Sequence, residues 1–343
     1  MRALVYDEFG GPLSVRDVPV PAVPAGGVLV RVEATGLCRS DWHGWQGHDP
    51  DIRVLPHVPG HELAGTIAAV GSGVHRWSVG DRVTVPFVNA CGICTQCAEG
   101  NGQVCCDQRQ PGFTHWGSFA ELVAIHAADV NLVALPDGLT ASTAASLGCR
   151  FATAYRAVVS IARVLPGERV VVVGCGGVGL SAVQVAVALG ASVAAVDTNP
   201  AAVELARSMG ATAVVEAGDA HVTIDAIGDP TVVERCLDLL RPRGRHVQVG
   251  LLPGDQPRIP MGRVLAQELQ VLGSHGMPAR DYPGLLDLVV AGRLRPDLLV
   301  TRTIGLDEAG DALRAMGQEP GITVIALDLS GTEPTGGPQP LTG

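Results

Sequence analysis

Lysine is absent from all 343 residues, so arginine carries every fixed positive charge. The absence reads as codon bias in a GC-rich genome. Positive charge is scarce altogether, with 24 Lys plus Arg against 34 Asp plus Glu and a formal net charge of −10. That balance excludes nucleic acid and anionic membrane as main partners, because both require concentrated cationic surface. Long apolar runs are missing too: Gly, Pro or a charge interrupts each one before bilayer-spanning length. The opening Met1-Arg2-Ala3-Leu4-Val5-Tyr6 lacks the apolar core of a signal peptide. The expectation is a soluble, cytoplasmic protein. There thiols stay reduced, so nine cysteines point to metal binding before a disulfide framework. Aromatics are only 3% of the chain, yet hydrophobic residues, chiefly Val, Ala and Leu, reach 47% and suit a buried parallel sheet. The length allows two domains, each with its own core.

Residues 1 to about 150 read as short strands punctuated by Gly and Pro, clearest at Val28–Ala34, Leu63–Val70, Arg82–Val85 and Phe119–Ile125. Such a pattern predicts a β-barrel-like unit. From about residue 151 strands and helices alternate: strand Arg169–Val173, helix Gly177–Leu189 stopped by Gly190, and strand Ser192–Val196. Strand Thr223–Ile227, helix Val232–Leu240 and strands His246–Val249 and Leu269–Ser274 follow. That alternation predicts a parallel, doubly wound sheet. Between a third strand at Ala213–Val215 and Thr223 only Glu216 to Val222 remain. A crossover of roughly 20 Å exceeds what a helix of that length spans, so an extended connection is expected. Residues 329–343 read as a flexible tail.

Gly174-Cys175-Gly176-Gly177-Val178-Gly179 matches G-x-G-x-x-G, a weak signal alone but a strong one between an apolar strand and a helix. Its glycines let backbone approach a pyrophosphate, which the helix N-terminus then stabilises. Asp197 ends the next strand, where an acid accepts from both ribose hydroxyls and repels a 2′-phosphate. NAD is favoured over NADP. A simple helix-capping acid is the lesser reading of Asp197.

Cys91-x2-Cys94-x2-Cys97-x7-Cys105 places four thiols within fifteen residues, with Gly92, Gly100 and Gly102 supplying tight turns. The pattern suits a closed, tetrahedral structural zinc site; two disulfides are the alternative. Cys106, Cys175 and Cys236 read as bystanders or small core residues.

Cys38-Arg39-Ser40-Asp41-Trp42-His43, Gly60-His61-Glu62 and Gly148-Cys149 mean little singly. With the four-cysteine lobe and the dinucleotide turn they resemble the zinc-containing medium-chain alcohol dehydrogenases, over residues 1 to about 328. The resemblance implies a GroES-like β-barrel catalytic domain at 1–151 plus 276–328, with the zinc lobe at 88–110, and a Rossmann NAD-binding domain at 152–275. It implies two zinc ions per chain. Cys38, His61 and Cys149 would hold the catalytic one, the fourth position staying open for substrate oxygen or water. Two thiolates and a neutral imidazole leave such a site near neutral, so the metal's Lewis acidity lowers the alcohol pKa and NAD takes the hydride.

The resemblance gives Ser40 and His43 the roles of first and last proton carriers, Asp41 that of orienting His61, and Glu62 an approach to zinc when the fourth position is free. Arg39 would contact pyrophosphate and Thr153 would lie near the nicotinamide. Trp42, Trp45, Phe87, Phe113 and Trp116 fall in loops beside the metal motifs and either line an apolar substrate cleft or merely pack. The reaction implied is reversible hydride transfer between NAD and a primary or secondary alcohol, apolar or aromatic if those rings line the cleft. A homodimer or homotetramer is implied, and the apolar last strand offers an edge for pairing. The rivals are a zinc-independent quinone or enoyl reductase of the same superfamily and a non-catalytic zinc- and nucleotide-binding sensor.

Overall fold

The branched and small apolar residues of Val28–Leu37 alternate with polar ones only in part, and the strand they form is buried along most of its length. The computed structural model describes all residues except 213–217, 253, 255, 318–319 and 328–343. The strands are β1 (Arg2–Val5), β2 (Ser14–Asp17), β3 (Val28–Leu37), β4 (Glu62–Val70), β5 (Arg82–Thr84), β6 (Leu122–Ile125) and β7 (Val133–Ala134). There follow β8 (Arg169–Val173), β9 (Ser192–Val196), β10 (Ala220–Asp225), β11 (Leu240–Gln248), β12 (Gln270–Gly273), β13 (Val300–Gly305) and β14 (Ile322–Ala326).

β3 organises the first sheet, whose order is β13-β14-β3-β4-β5-β7, with β6 on β3 as well. β4 runs antiparallel along one edge of β3, while β6 and β14 share the other, β6 on Val28–Arg31 and β14 on Ala34–Leu37. Residues from distant parts of the chain thus complete one layer, antiparallel except where β13 runs parallel to β14. Phe119 sits just outside regular β6 and instead accepts from the Leu4 N–H at 2.8 Å.

The second sheet is parallel throughout, in the order β12-β11-β10-β8-β9. The Gly177–Ala188 helix packs against it and is apolar all round because both its faces are covered. Gly190 ends that helix at φ +82°. β11 starts at Leu240, well before the expected His246: Pro242, Arg243 and Gly244 hide it, and the pairing with β10 breaks register between Leu240 and Arg245 to absorb them. β10 likewise begins at Ala220, so Ala220–Val222 of the expected extended crossover are already strand. The expected third strand and the start of that crossover fall on 213–217 and lie outside the described residues, as does the expected tail at 329–343. One continuous apolar core joins the two sheets, running from Ala34 and Ala64 through Leu147 and Phe151 to Val170 and Leu180.

Candidate active site and metal centres

Three distant segments meet where the two sheets adjoin. Cys38 ends the approach to a short helix, Arg39–Trp45, and the Asp41 carboxylate on that helix's first turn accepts from the Cys38 N–H at 2.8 Å. The other Asp41 oxygen accepts from the Gly60 N–H at 3.0 Å and from His61 Nδ1 at 2.9 Å. Cys149 sits in a single π-helical turn, Leu147–Phe151, which turns its side chain toward the same point. The donor atoms of Cys38, His61, Glu62 and Cys149 all lie within 4.8 Å of one another.

His61 is wholly buried, and its Nε2 has no hydrogen-bond partner. With Nδ1 committed to Asp41, the Nε2 lone pair faces the two thiols. Contact with the Cys149 thiol, and with His61, holds Cys38 well below the usual thiol range, while the Cys38 sulfur and burial push Cys149 well above it. A metal cation between them would let both sulfurs carry charge. An orphaned imidazole nitrogen between two thiols fits zinc. Glu62 belongs to the cluster but is engaged elsewhere: it accepts from the Arg150 backbone N–H and Nε, each at 2.9 Å, and pairs with Nη2. Burial raises the Glu62 pKa even so.

The second cluster stands apart. Sulfur separations are 3.4 Å for Cys94–Cys97, 3.7 Å for Cys94–Cys105 and 3.9 Å for Cys91–Cys97. A tetrahedron with Zn–S near 2.3 Å has edges of about 3.8 Å, whereas a disulfide would bring sulfurs to about 2 Å. All nine cysteines are free, which removes the disulfide alternative. Cys106 is exposed, and Cys175 and Cys236 are buried with thiols pushed up to about 12 by burial.

Each glycine of the 174–179 turn has its own reason. Gly174 has φ +92°, and a Cβ there would lie 2.6 Å from Ile227. A Cβ on Gly179 would stand 1.6 Å from the Gly174 carbonyl oxygen, so only glycine lets helix and strand approach. A Cβ on Gly177 would stand 2.5 Å from the Arg150 side chain, and Gly176 faces open space where a ligand can come close. Val178 is in the helix's first turn. Asp197 Oδ2 accepts from the Cys175 N–H at 2.6 Å and Oδ1 from the Asn199 N–H at 2.8 Å, which holds the carboxylate beside the turn.

Residues 24–137 match the alcohol dehydrogenase GroES-like domain, and 177–291 match the zinc-binding dehydrogenase family. An alcohol dehydrogenase of Geobacillus stearothermophilus is 33% identical over 342 residues, covering 96% of this chain and 100% of that protein. An NAD-dependent alcohol dehydrogenase of Sulfurisphaera tokodaii is 34% identical over 91% of this chain and 95% of its own. The structure of an alcohol dehydrogenase from Thermus sp. ATN1 superposes with a TM-score of 0.87 at 30% identity, covering 95% of this chain and 99% of that one. The chain belongs to the zinc-containing medium-chain alcohol dehydrogenase family.

In this dehydrogenase Ser40 and His43 are three residues apart on one short helix, so they share a face. Thr153 is buried, with an unpartnered Oγ1. Arg39 stacks over Trp42 at 4.6 Å and donates to the Met316 carbonyl at 3.3 Å. The five expected pocket aromatics separate. Phe113 and Phe87 flank His61, with ring centroids 5.1 and 6.1 Å away. Trp45 does not line a cleft: it is a core residue, its indole N–H donating to the Gly11 carbonyl at 2.9 Å. A large apolar ring with one N–H packs where both needs are met. Trp116 donates to the Pro56 carbonyl and, with Phe113, lines a cavity that His57, His115 and His126 also border. Trp42 braces His43 and His48 edge-on. Three residues escape sequence reasoning: Arg150, His48 and His275, whose ring stands edge-on to Phe87 at 5.3 Å. Arg150 directly follows a thiol ligand candidate, which was the available signal; the other two carried none.

Proposed function

We propose that the chain catalyses reversible hydride transfer between NAD and a small apolar or aromatic alcohol, with the Cys38–His61–Cys149 cluster as the reacting metal site and the four-cysteine lobe as a structural one. The observation that carries this reading is the buried, unpartnered His61 Nε2 between two thiols and two phenylalanine rings. Zinc held there supplies Lewis acidity toward the alcohol oxygen, and NAD supplies the hydride acceptor.

The chain's own residues do the rest. Asp41 fixes the His61 tautomer so that Nε2 is free to ligate. Phe87 and Phe113 exclude water and favour apolar substituents over polyols. Ser40 takes the hydroxyl proton and His43 carries it outward; Arg39 meets pyrophosphate and Thr153 the nicotinamide. Asp197 accepts from the ribose hydroxyls and disfavours a 2′-phosphate. Glu62, paired with Arg150 but within 4.8 Å of the other donor atoms, approaches zinc when the fourth position is free.

Domain limits of 1–151 plus 276–328 and 152–275 agree with the pairing of β14 on β3 and with the parallel sheet ending at β12. β12 is an edge strand, and its exposed Val271, with exposed Met261 and Leu265 on the preceding helix, supports a homodimer or homotetramer, which light scattering checks. Free thiols suit the reducing cytoplasm.

The test is metal analysis combined with NAD reduction over a panel from benzyl alcohol and short alkanols to glycerol. Two zinc ions and a preference for the apolar members are expected; a flat or polyol-led profile would sink the substrate assignment. Asp197→Ala should erode NAD preference by roughly 10–100-fold, the scale of one lost specific polar contact. Equal efficiency with NAD and NADP in the unmodified enzyme would overturn that part.

A further inference from the structure

The helix that carries Ser40 and His43 ends in a feature the reaction as described does not use. Gly47 has φ +76°, which turns the chain back, and the His48 N–H donates to the His43 carbonyl at 3.0 Å. A Cβ on Gly47 would stand 2.9 Å from the Phe9 ring, so glycine is required at this reversal. The reversal lays one imidazole against the other: His43 Nδ1 and His48 Nδ1 are 3.1 Å apart, and the ring centroids 5.4 Å. Trp42 meets both rings edge-on, at 5.1 and 5.7 Å, and prevents them from parting sideways. His43 is half-buried; His48 is exposed.

We propose that His43 and His48 form a two-ring proton wire in which His48, not His43, delivers the proton to water. This rests on the Ser40–His43 path given above. Of two facing Nδ1 atoms one must donate and one accept. A proton arriving on His43 Nε2 releases the Nδ1 proton to His48 Nδ1, and the His48 Nε2 proton then passes to solvent. One proton enters, one leaves, and no electrons move; the transfer leaves both rings in the opposite tautomer, and both return to the starting one by exchange with water before the next turnover. The charged groups around the pair favour onward transfer. Burial, Arg39 and His48 hold the His43 pKa down, and Cys38 and Asp49 offset this only partly. Burial in turn raises the Asp49 carboxyl, which weakens its hold on a charged ring.

The experiment compares His48→Gln and His43→Gln in the zinc-loaded enzyme. Proton release in the first turnover is followed with a pH indicator in dilute buffer. His48→Gln should slow it by roughly tenfold, less than the roughly 10²–10⁴-fold of a positioned acid–base group because water partly substitutes. Added imidazole should restore the rate, with zinc content and NAD affinity unchanged. Independently of turnover, nitrogen-edited spectra of the histidine rings should show His43 and His48 titrating as a linked pair, and His43 alone in one step once His48 is replaced. Normal proton release in His48→Gln, a loss that imidazole does not repair, or an unaltered His43 titration would each overturn the wire. A His43→Gln enzyme with an unchanged pH profile would instead sink the underlying path through His43; a slowed His43→Gln beside a normal His48→Gln removes only the outer ring.

Discussion

The two thiol clusters of this dehydrogenase are built in opposite ways. The Cys91–Cys105 lobe draws its four sulfurs from fifteen consecutive residues near the surface, where N–H groups of Cys97 and Cys106 bring Cys94 down to about 6 while burial pushes Cys105 up to about 12. The Cys38–His61–Cys149 cluster takes one residue from each of three remote segments, is buried except at Cys149, and relies on side chains: Asp41 behind His61 and Arg150 on Glu62. A local cluster is closed and stabilises its own loop. A distributed one holds whole elements in register and can leave a position for substrate.

The sharpest way to break this comparison is to remove one ligand from each. Cys149→Ser should reduce turnover well beyond the roughly 10–100-fold of changes around a metal ligand, while the melting temperature moves little. Cys94→Ser should do the reverse. It should lower the melting temperature by about 10 °C, since structural zinc contributes folding energy and each kcal/mol is worth ~2–4 °C at this size, and leave activity below the transition. Equal effects of the two variants on both readouts would erase the distinction.

Next in size is Asp41→Ala, which leaves the three candidate ligands in place but frees the His61 ring. Zinc affinity of the enclosed cluster should fall about 10–100-fold, measured by competition with a chelator, and the lobe should keep its metal. Loss of both ions together would mean the clusters are not independent.

The smallest effect guards the comparison against a misreading at acid pH, where protonating thiolates also releases metal. Burial holds the His115 ring, which bonds the Ala124 carbonyl at 3.0 Å, down to about 4. The unfolded chain therefore binds that proton first as pH falls. The stabilisation is complete above roughly pH 6.5 and is lost toward pH 4, at most about 3 kcal/mol. His115→Gln should flatten that slope in urea melts between pH 7 and 4. An unchanged slope would return the acid lability to the metal sites.

The two clusters also differ in how readable they were. The lobe's spacing alone implied a site, because four thiols in so short a run meet under any compact turn. Cys38, His61 and Cys149 carried no mutual signal; only their likeness to a family grouped them. The parallel strands at Arg169–Val173 and Ser192–Val196 stood out by apolar runs between Gly-rich turns, whereas β11 was masked by Pro242 and Gly244 at its register break. Trp45 misled because loop position says nothing of which side a large ring faces.

The sequence by itself determined the two layers, the dinucleotide turn and the structural lobe, since each rests on periodicity, glycine or close spacing, which are local properties. The tertiary structure decided what faces what: that Asp41 gathers Cys38, Gly60 and His61, that Arg150 occupies Glu62, and that Gly47 folds His48 onto His43. Asp41–Cys38 and His43–His48 are contacts of one helix and its turn, but Asp41–His61 and Arg150–Glu62 join residues whose separation in the chain sets no distance between them, so only tertiary packing could fix those.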